Sequence, residues 1–263
     1  MTDVTVSSFT PTTSEASVVM DLVRSEWAKF RTVRSTYWSL IAAVIAMIGL
    51  GALISATQSG NHFSFDPVSI SLSGVLLAQL AIGVLGVLFV TSEYSTGMIR
   101  TTFSAAPQRR IVIASKAAVF AVVALVLGTL TSLVTFLVGQ AAMGHLGVSL
   151  TSPGAVRSVV GVGLYLGLLA VFAVGLGTIL RSTAGAIATL FGLILVLPAI
   201  AQALPASIQN SIDKYLPSNA GQAIFHSIRD TSTLSPWVGL GVFALYAGAT
   251  LVGGLIMVGR RDV

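Results

Sequence analysis

Residues 117–143 have the sequence AAVFAVVALVLGTLTSLVTFLVGQAAM, which contains no Asp, Glu, Lys, Arg or His. A helix needs about 20 mostly apolar residues to cross the hydrocarbon core of a bilayer. This stretch is long enough to cross as one helix, and it therefore indicates a membrane protein.

The composition of the whole chain supports the same class. Of its 263 residues, 54% are hydrophobic and 9% are charged, whereas soluble domains average about 25% charged residues. These values disfavour a soluble enzyme, a disordered chain and a nucleic-acid-binding domain, even though the pI is about 10.0. The chain has no cysteine, which excludes disulfides, thiolate metal sites and a cysteine nucleophile. We expect no metal site and no catalytic residue.

Five further apolar stretches of spanning length occur, at residues 36–57, 72–92, 158–180, 184–204 and 236–259. Together with 117–143 they predict an all-α polytopic membrane protein with six transmembrane helices. We expect residues 36–263 to form one transmembrane domain. Residues 1–17 are rich in Ser and Thr and are expected to form a disordered tail.

The distribution of cations predicts the orientation of the six spans. Eleven of the 14 Lys and Arg fall on one side of the predicted topology, and this side is expected to be cytoplasmic. With an even number of crossings, both termini are then cytoplasmic. The three cations on the other side are Arg157, Lys214 and Arg229.

Residues 18–35 precede the first span and predict an amphipathic interfacial helix. Met20, Val23, Trp27 and Phe30 recur at helical spacing, and polar residues fall mostly on the opposite face. Glu26 interrupts the apolar stripe, and we expect it to pair, for example with a cation at i+3. The helix is either a basic anchor that sets the topology or a lever that contacts a cytoplasmic partner.

The connector between the second and third spans, residues 93–110, is longer than two antiparallel helices require. Glu93 is expected just past the membrane edge, Gly97 permits a bend, and Pro107 ends a short helix before a basic pair. A helix held along the membrane surface by these stops would present a docking face. The alternative is an ordinary interfacial loop with basic anchors.

The segment 205–235 between the last two spans alternates apolar and polar residues and is interrupted by a Leu-Pro-Ser-Asn sequence at 216–219. This pattern predicts two short external helices that lie in or re-enter the membrane interface. His62, His145 and His226 all fall in external loops, which disfavours an intramembrane protease.

Within the predicted spans, no residue is ionisable, and this disfavours an ion-coupled carrier. The most polar side chains there are Gln79, Gln140 and Gln202. They either line a substrate path or bridge neighbouring helices, and we favour bridging. The chain also lacks the G-x-x-x-x-G-K-[ST] phosphate-binding loop.

The six spans, the N-terminal amphipathic helix, the patterned first cytoplasmic connector and the external helices resemble the permease subunit of type 2 ABC exporters, the ABC-2 family. That family's connector has an acidic residue, then Gly-Thr, then Pro with a basic residue after it. Glu93, Gly97, Pro107 and Arg109 fill those places. Met98 stands where Thr is usual, and the spacing from Gly97 to Pro107 is about one residue longer. The likeness extends from about residue 18 through nearly the whole chain.

The resemblance implies a permease of the bacterial cytoplasmic membrane that works with a separate ATP-binding cassette subunit. ATP and Mg would bind that partner, and this chain would bind no cofactor. Two permeases would pair as a homodimer or heterodimer, and helix 93–103 would be the cytoplasmic coupling helix. The cargo would be an amphipathic or hydrophobic compound, such as a drug, an antimicrobial peptide or a lipid. The expected coupling residues are Glu93, Tyr94, Gly97, Met98, Arg100 and Thr101, with Glu26, Trp27, Lys29 and Phe30 on the interfacial helix.

Two other classes of function remain open at this point. One is a non-transporting membrane scaffold or sensor component, and the other is a membrane-embedded enzyme. We expect Glu93 to pair with Arg100 or with a cation of the ATPase. Its replacement by Ala should then separate ATP hydrolysis from transport, which the other two classes do not predict.

Overall fold

The computed structural model describes residues 15–32, 34–58, 66–99, 108–228 and 233–260, with side chains except at 15–19, 29–32, 206 and 210. None of the described residues forms a strand. In chain order the α-helices are α1 (Glu15–Thr32), α2 (Arg34–Thr57), α3 (Pro67–Ser71), α4 (Val75–Ser95), α5 (Arg109–Met143), α6 (Ala155–Leu180), α7 (Thr183–Phe191), α8 (Leu197–Gln202), α9 (Ala206–Ile212), α10 (Pro217–Gln222) and α11 (Pro236–Arg260).

Six helical segments of the described chain are long and apolar enough to cross a membrane, which confirms the predicted all-α fold with six spans. The segments are span 1 (Arg34–Thr57), span 2 (Pro67–Ser95), span 3 (Arg109–Leu146), span 4 (Ala155–Leu180), span 5 (Thr183–Gln202) and span 6 (Pro236–Arg260). Span 2 contains α3 and α4 joined by a 3-10 turn at Leu72–Gly74. We call the end of the bundle that holds Arg34, Lys116, Arg181 and Arg260 the basic end.

Spans 2 and 3 are longer at the basic end than their apolar stretches predict. Span 2 continues to Ser95 and so includes Glu93, and span 3 begins at Arg109 and so includes Lys116. The apolar stretches themselves contain no Asp, Glu, Lys, Arg or His, but the helices that continue past them at this end carry these two charged residues. Both side chains are buried. The protein therefore encloses the two charges where the helices extend beyond the apolar stretches.

Span 4 is the centre of the bundle. Within its 18-residue apolar segment, 78% of the residues are buried inside the protein, compared with 22% in the corresponding segment of span 6. Close packing against span 3 requires glycine, because a Cβ at Gly163 would overlap the Thr129 hydroxyl and lie 2.7 Å from the Leu125 carbonyl oxygen. Small residues let membrane helices approach in this way.

Span 5 is not one regular helix. A π-helical turn at Gly192–Val196 separates α7 from α8, and Pro198 follows in the first turn of α8. Proline has no N–H to donate to the preceding turn, and a π turn is one way in which a helix absorbs such a break. The apolar stretch 184–204 gave no sign of this interruption beyond the proline itself.

The two short helices expected between spans 5 and 6 are present as α9 and α10, and the chain is extended at Leu216 between them. The second one is enclosed by the bundle. Gly221 lies so close to the Tyr165 ring that a Cβ would come within 2.6 Å of it, and Ile224 in the following turn is fully buried. This segment therefore closes the bundle at the end opposite the basic end.

Helix α1 covers the segment in which an amphipathic helix was predicted, and it begins at Glu15, three residues before the predicted start. Trp27 is 46% exposed, whereas Glu26 is 1% exposed. The residue that interrupts the apolar stripe in the sequence is thus the one that faces the protein. Residues 1–14, most of the predicted tail, lie outside the described residues.

Candidate functional site

Three ionic side chains from three separate segments meet at the basic end. The Lys116 ammonium lies 2.6 Å from Glu26 Oε2 and 2.7 Å from Glu93 Oε1. The side chains of Lys116 and Glu26 are 1% and 2% exposed, and that of Glu93 is 9% exposed. We call this set the Glu-Lys-Glu cluster. It joins α1 to spans 2 and 3.

The local structure explains why the cluster needs its cation. Glu93 lies in the last turn of α4, where the helix dipole disfavours a negative charge. Lys116 lies two turns inside α5, about 10 Å along the helix from its first residue. Its ammonium also lies 4.9 Å from the centroid of the Phe89 ring, which is one helical turn before Glu93 and contributes a cation–π contact.

Because the cluster is buried, its contribution to stability depends more strongly on its geometry than that of an exposed ion pair does. A buried charge loses several kcal/mol of hydration free energy, and only close, hydrogen-bonded partners offset that loss. The ion pair between Arg24 and Asp21 on the same helix α1 has a distance of 3.8 Å and side chains about three-quarters exposed. Such an exposed pair contributes little, so α1 is held to the bundle by Glu26 and by its apolar contacts.

A small apolar cluster lies beside the charges. It consists of Ile99, Val112, Ile113 and Val258, all at most 2% exposed, with Leu22 of α1 packed against them. These residues come from the segment after span 2 and from spans 3 and 6. The basic end therefore packs α1 and three other segments into one unit, through charged and apolar contacts together.

Gly97 sets the direction in which the chain leaves span 2. Its φ is +73°, a left-handed conformation that glycine adopts without strain. The helix ends at Ser95, and after the turn Met98 is 53% exposed whereas Ile99 is buried. The predicted coupling helix 93–103 is thus wrong at its start, because Glu93 and Tyr94 belong to the span 2 helix and the chain turns at Gly97.

The end of span 2 also contacts the tight turn between spans 4 and 5. The Arg181 guanidinium lies 5.3 Å from the centroid of the Tyr94 ring, and Arg181 itself has a left-handed φ of 52°. Close by, the Thr183 hydroxyl donates to the Thr91 hydroxyl at 2.9 Å. A movement of the end of span 2 would therefore displace this turn as well.

The structure brings together only part of the residue set expected from the sequence. Glu26 and Glu93 meet at Lys116, Tyr94 contacts Arg181, and Trp27 lines an apolar groove between spans 1 and 3. Arg100 and Thr101 lie outside the described residues, and so do the side chains of Lys29 and Phe30. Lys116 is the residue that sequence reasoning missed. Its signal was a single cation next to an apolar stretch on the same side as two isolated carboxylates.

Two of the three glutamines bridge helices at depth. Gln79 Oε1 accepts hydrogen bonds from the Tyr165 hydroxyl at 2.6 Å and from Gln222 Nε2 at 3.1 Å. These bonds join spans 2 and 4 to α10. Gln140 donates to the Pro67 carbonyl oxygen at 2.9 Å and to the Ser71 hydroxyl at 2.8 Å, which joins span 3 to the start of span 2. Gln202 is exposed.

At the opposite end, Asp66 ties the start of span 2 to the segment that precedes span 6. Its carboxylate accepts bonds from the Ser227 N–H at 2.6 Å and from the Ser227 hydroxyl at 2.5 Å. It also caps α3 through the N–H groups of Val68 and Ser69. Burial alone would raise the pKa of Asp66, but these bonds and one from the Ile228 N–H outweigh it and hold the pKa below its ordinary value.

These bonds predict that the contribution of Asp66 to the stability of the protein is lost in acid. Because the folded pKa lies below the unfolded value, the stabilisation is complete above the unfolded pKa and is lost as the pH falls through the folded pKa. Thermal unfolding in detergent should show Asp66→Asn to be about 1.5–3 kcal/mol less stable than wild type at pH 7, with the difference shrinking below pH 4. A constant difference across that range would contradict the assignment.

The profile of a protein family described as ABC-2 family transporter protein matches residues 22–199, which include most of α1, the Glu-Lys-Glu cluster and the first four spans. No curated protein matches the chain.

Proposed function

Because the chain belongs to the ABC-2 family of transporter proteins, we propose that it is the permease of an ATP-driven exporter whose ATP is hydrolysed by a separate subunit. The 263 residues contain no G-x-x-x-x-G-K-[ST] loop, so a P-loop that binds ATP would lie outside these residues. The family membership supports a partner subunit, and the arrangement of the basic end supports where it would dock.

The observation that carries the proposal is the Glu-Lys-Glu cluster. It joins α1, the end of span 2 and the start of span 3 by contacts of 2.6 and 2.7 Å. A partner that moves α1 or the chain after Gly97 would therefore move both spans, since the buried charges resist separation. In this mechanism ATP binding to the partner changes the relative stability of two arrangements of the spans. The Glu-Lys-Glu cluster transmits the partner's movement to spans 2 and 3.

The basic end would face the cytoplasm of a bacterial cell, where ATP is available. Eleven of the 14 Lys and Arg are assigned to this end, in accordance with the positive-inside rule. Helix α1 would then lie along the cytoplasmic membrane surface. The exposed Met98 and the chain that follows it would contact the ATPase, together with Arg100 and Thr101.

The cargo would be an amphipathic or hydrophobic compound, which includes drugs, antimicrobial peptides and lipids. Among the described residues, the buried polar groups of the bundle away from the Glu-Lys-Glu cluster are neutral, and Gln79 bonds to Tyr165 and Gln222. A path without fixed charge offers no counter-ion to a strongly charged molecule. A second permease, identical or related, would complete the path, as the family resemblance implies.

The test of this proposal is reconstitution. The tagged chain is purified in mild detergent from its native cells together with any P-loop ATPase, and the complex is placed in liposomes with a fluorescent amphipathic dye. We expect dye movement that requires ATP. A complex that hydrolyses ATP but moves none of a panel of amphipathic compounds would favour a scaffold or sensor component, and a chain that never co-purifies with an ATPase would contradict the proposal.

In the same assay, Glu93→Gln should lower the dye moved per ATP hydrolysed by at least about fivefold. The amide keeps the shape of the side chain but loses the charge that contacts Lys116, so movement of the connector is transmitted less completely. Asp21→Asn is the matched control, because this acidic residue of α1 lies in an exposed pair. An unchanged ratio in Glu93→Gln would exclude a coupling role for the cluster.

A further inference from the structure

An apolar groove of about 550 Å³ opens on the side of the bundle near the basic end. Its walls come from one face of span 1, with Tyr37 and Ile45, and one face of span 3, with Val126 and Leu130. Trp27 of α1 lies at its end. The spacing of these residues gives the groove a length of about 12 Å along the two helices.

The end of the groove combines aromatic and cationic groups. Trp27 and Tyr37, which are 46% and 64% exposed, are the residue types that lie at the headgroup level of membranes. Each has an arginine one helical turn away, Arg24 before Trp27 and Arg34 before Tyr37. Both arginines are exposed, and the sequence places Lys29 and Arg31 between them.

The Glu-Lys-Glu cluster holds one carboxylate of α1 away from this surface. Glu26 is buried against Lys116, so its carboxylate does not neutralise the arginines of α1. Among the side chains of α1 that the structure describes, Asp21 pairs with Arg24, at 3.8 Å. Clusters of four or more cations on an amphipathic helix attract anionic lipid headgroups, and the groove beside them accepts only apolar groups.

We propose that this groove is a binding site for an anionic phospholipid. One acyl chain lies between spans 1 and 3, and the phosphate lies beside Arg34 and Arg24. The lipid fills the space between α1 and the bundle on the side away from the Glu-Lys-Glu cluster. This inference does not depend on the proposed transport function, and its test needs neither ATP nor a partner.

A second groove provides a comparison within the same molecule. It has a volume of about 490 Å³ and lies between spans 1 and 2, lined by small residues such as Ala42, Ala46 and Ala81. Among the described residues, no cation and no aromatic side chain lines it. Small residues on a membrane helix favour close contact with another helix, so we expect no preference for anionic lipid there.

The experiment uses tryptophan fluorescence in nanodiscs. The chain has three Trp, and Trp38→Phe with Trp237→Phe leaves only Trp27. Phosphatidylcholine discs then receive equal mole fractions of either phosphatidylglycerol or phosphatidylcholine with brominated acyl chains. We expect the brominated anionic lipid to be enriched about fivefold at Trp27, because one cation near the surface supplies that preference. A matched protein retains Trp38 as its single tryptophan. Trp38 follows Tyr37 in span 1 but does not line the groove, so its quenching should show a much smaller preference for the anionic lipid.

Two variants locate the site further. Arg34→Gln should reduce the preference for anionic lipid at Trp27. Val126→Phe should reduce quenching of Trp27 by filling the groove. As a control, Ala46→Phe in the second groove should change neither the lipid preference nor the quenching. Equal quenching by the two lipids at Trp27 would overturn the proposal and indicate ordinary boundary lipid. Absence of quenching by both, with crosslinks between copies at this face, would overturn it in favour of an interface with a second copy.

Discussion

Lys116→Met is expected to destabilise the protein by about 3–5 kcal/mol, because it removes the cation that two buried carboxylates contact. The side chains of Lys116 and Glu26 are almost fully enclosed, so water cannot replace the lost partner without opening the basic end. The measurement is the fraction of monodisperse protein that survives heating in detergent, read by size-exclusion chromatography. We expect loss of α1 from the bundle before the spans separate.

Two comparisons separate this effect from a general loss of positive charge. Arg24→Met removes a cation from the same end, but its pair with Asp21 is exposed, and we expect a change below about 1 kcal/mol. The triple variant Glu26→Gln, Glu93→Gln and Lys116→Met removes all three charges and should recover much of the loss, since neutral replacement of a buried ionic set is far less costly than breaking it. Equal stability of Lys116→Met and Arg24→Met would contradict the structure at this point.

The six spans could be predicted from the sequence because an apolar run of spanning length reports directly on the membrane. The ends of the spans could not. Glu93 and Lys116 each mark the edge of an apolar stretch, yet the helices continue past them because each charge neutralises the other across two helices. A run of hydrophobic residues contains no information about such a pair, whose members are 23 residues apart.

The partner of Glu26 is a second contact that the sequence does not predict. Local spacing suggests a cation one turn along the helix, at Lys29, whose side chain lies outside the described residues. The structure shows a partner that local spacing does not suggest, Lys116, 90 residues away. Only the packing of α1 against span 3 creates that contact. The external helices lie between these cases, since the Leu-Pro break at 216–217 predicts two short helices but does not predict that Gly221 packs on the Tyr165 ring.

Gly74→Ala is the second substitution from which we expect a large effect, a loss of about 3 kcal/mol or more from overpacking. A Cβ at this position would overlap the carbonyl oxygen of Met47 and lie 2.7 Å from its carbonyl carbon. The φ of Gly74 is −58°, which any residue adopts, so backbone strain does not contribute. The cost comes entirely from forcing spans 1 and 2 apart, and heating in detergent followed by chromatography measures it.

Gly49→Ala is the matched control, because Gly49 is in span 1, two residues after Met47, and a Cβ there would meet nothing within 4 Å. Alanine has the higher helix propensity by about 1 kcal/mol, so this variant should be neutral or slightly more stable than wild type. The same chemical change would then have opposite signs at two glycines of adjacent spans. Since a backbone carbonyl in a helix cannot rotate away as a side chain can, Gly74→Ala with wild-type stability would mean that spans 1 and 2 do not meet at Met47.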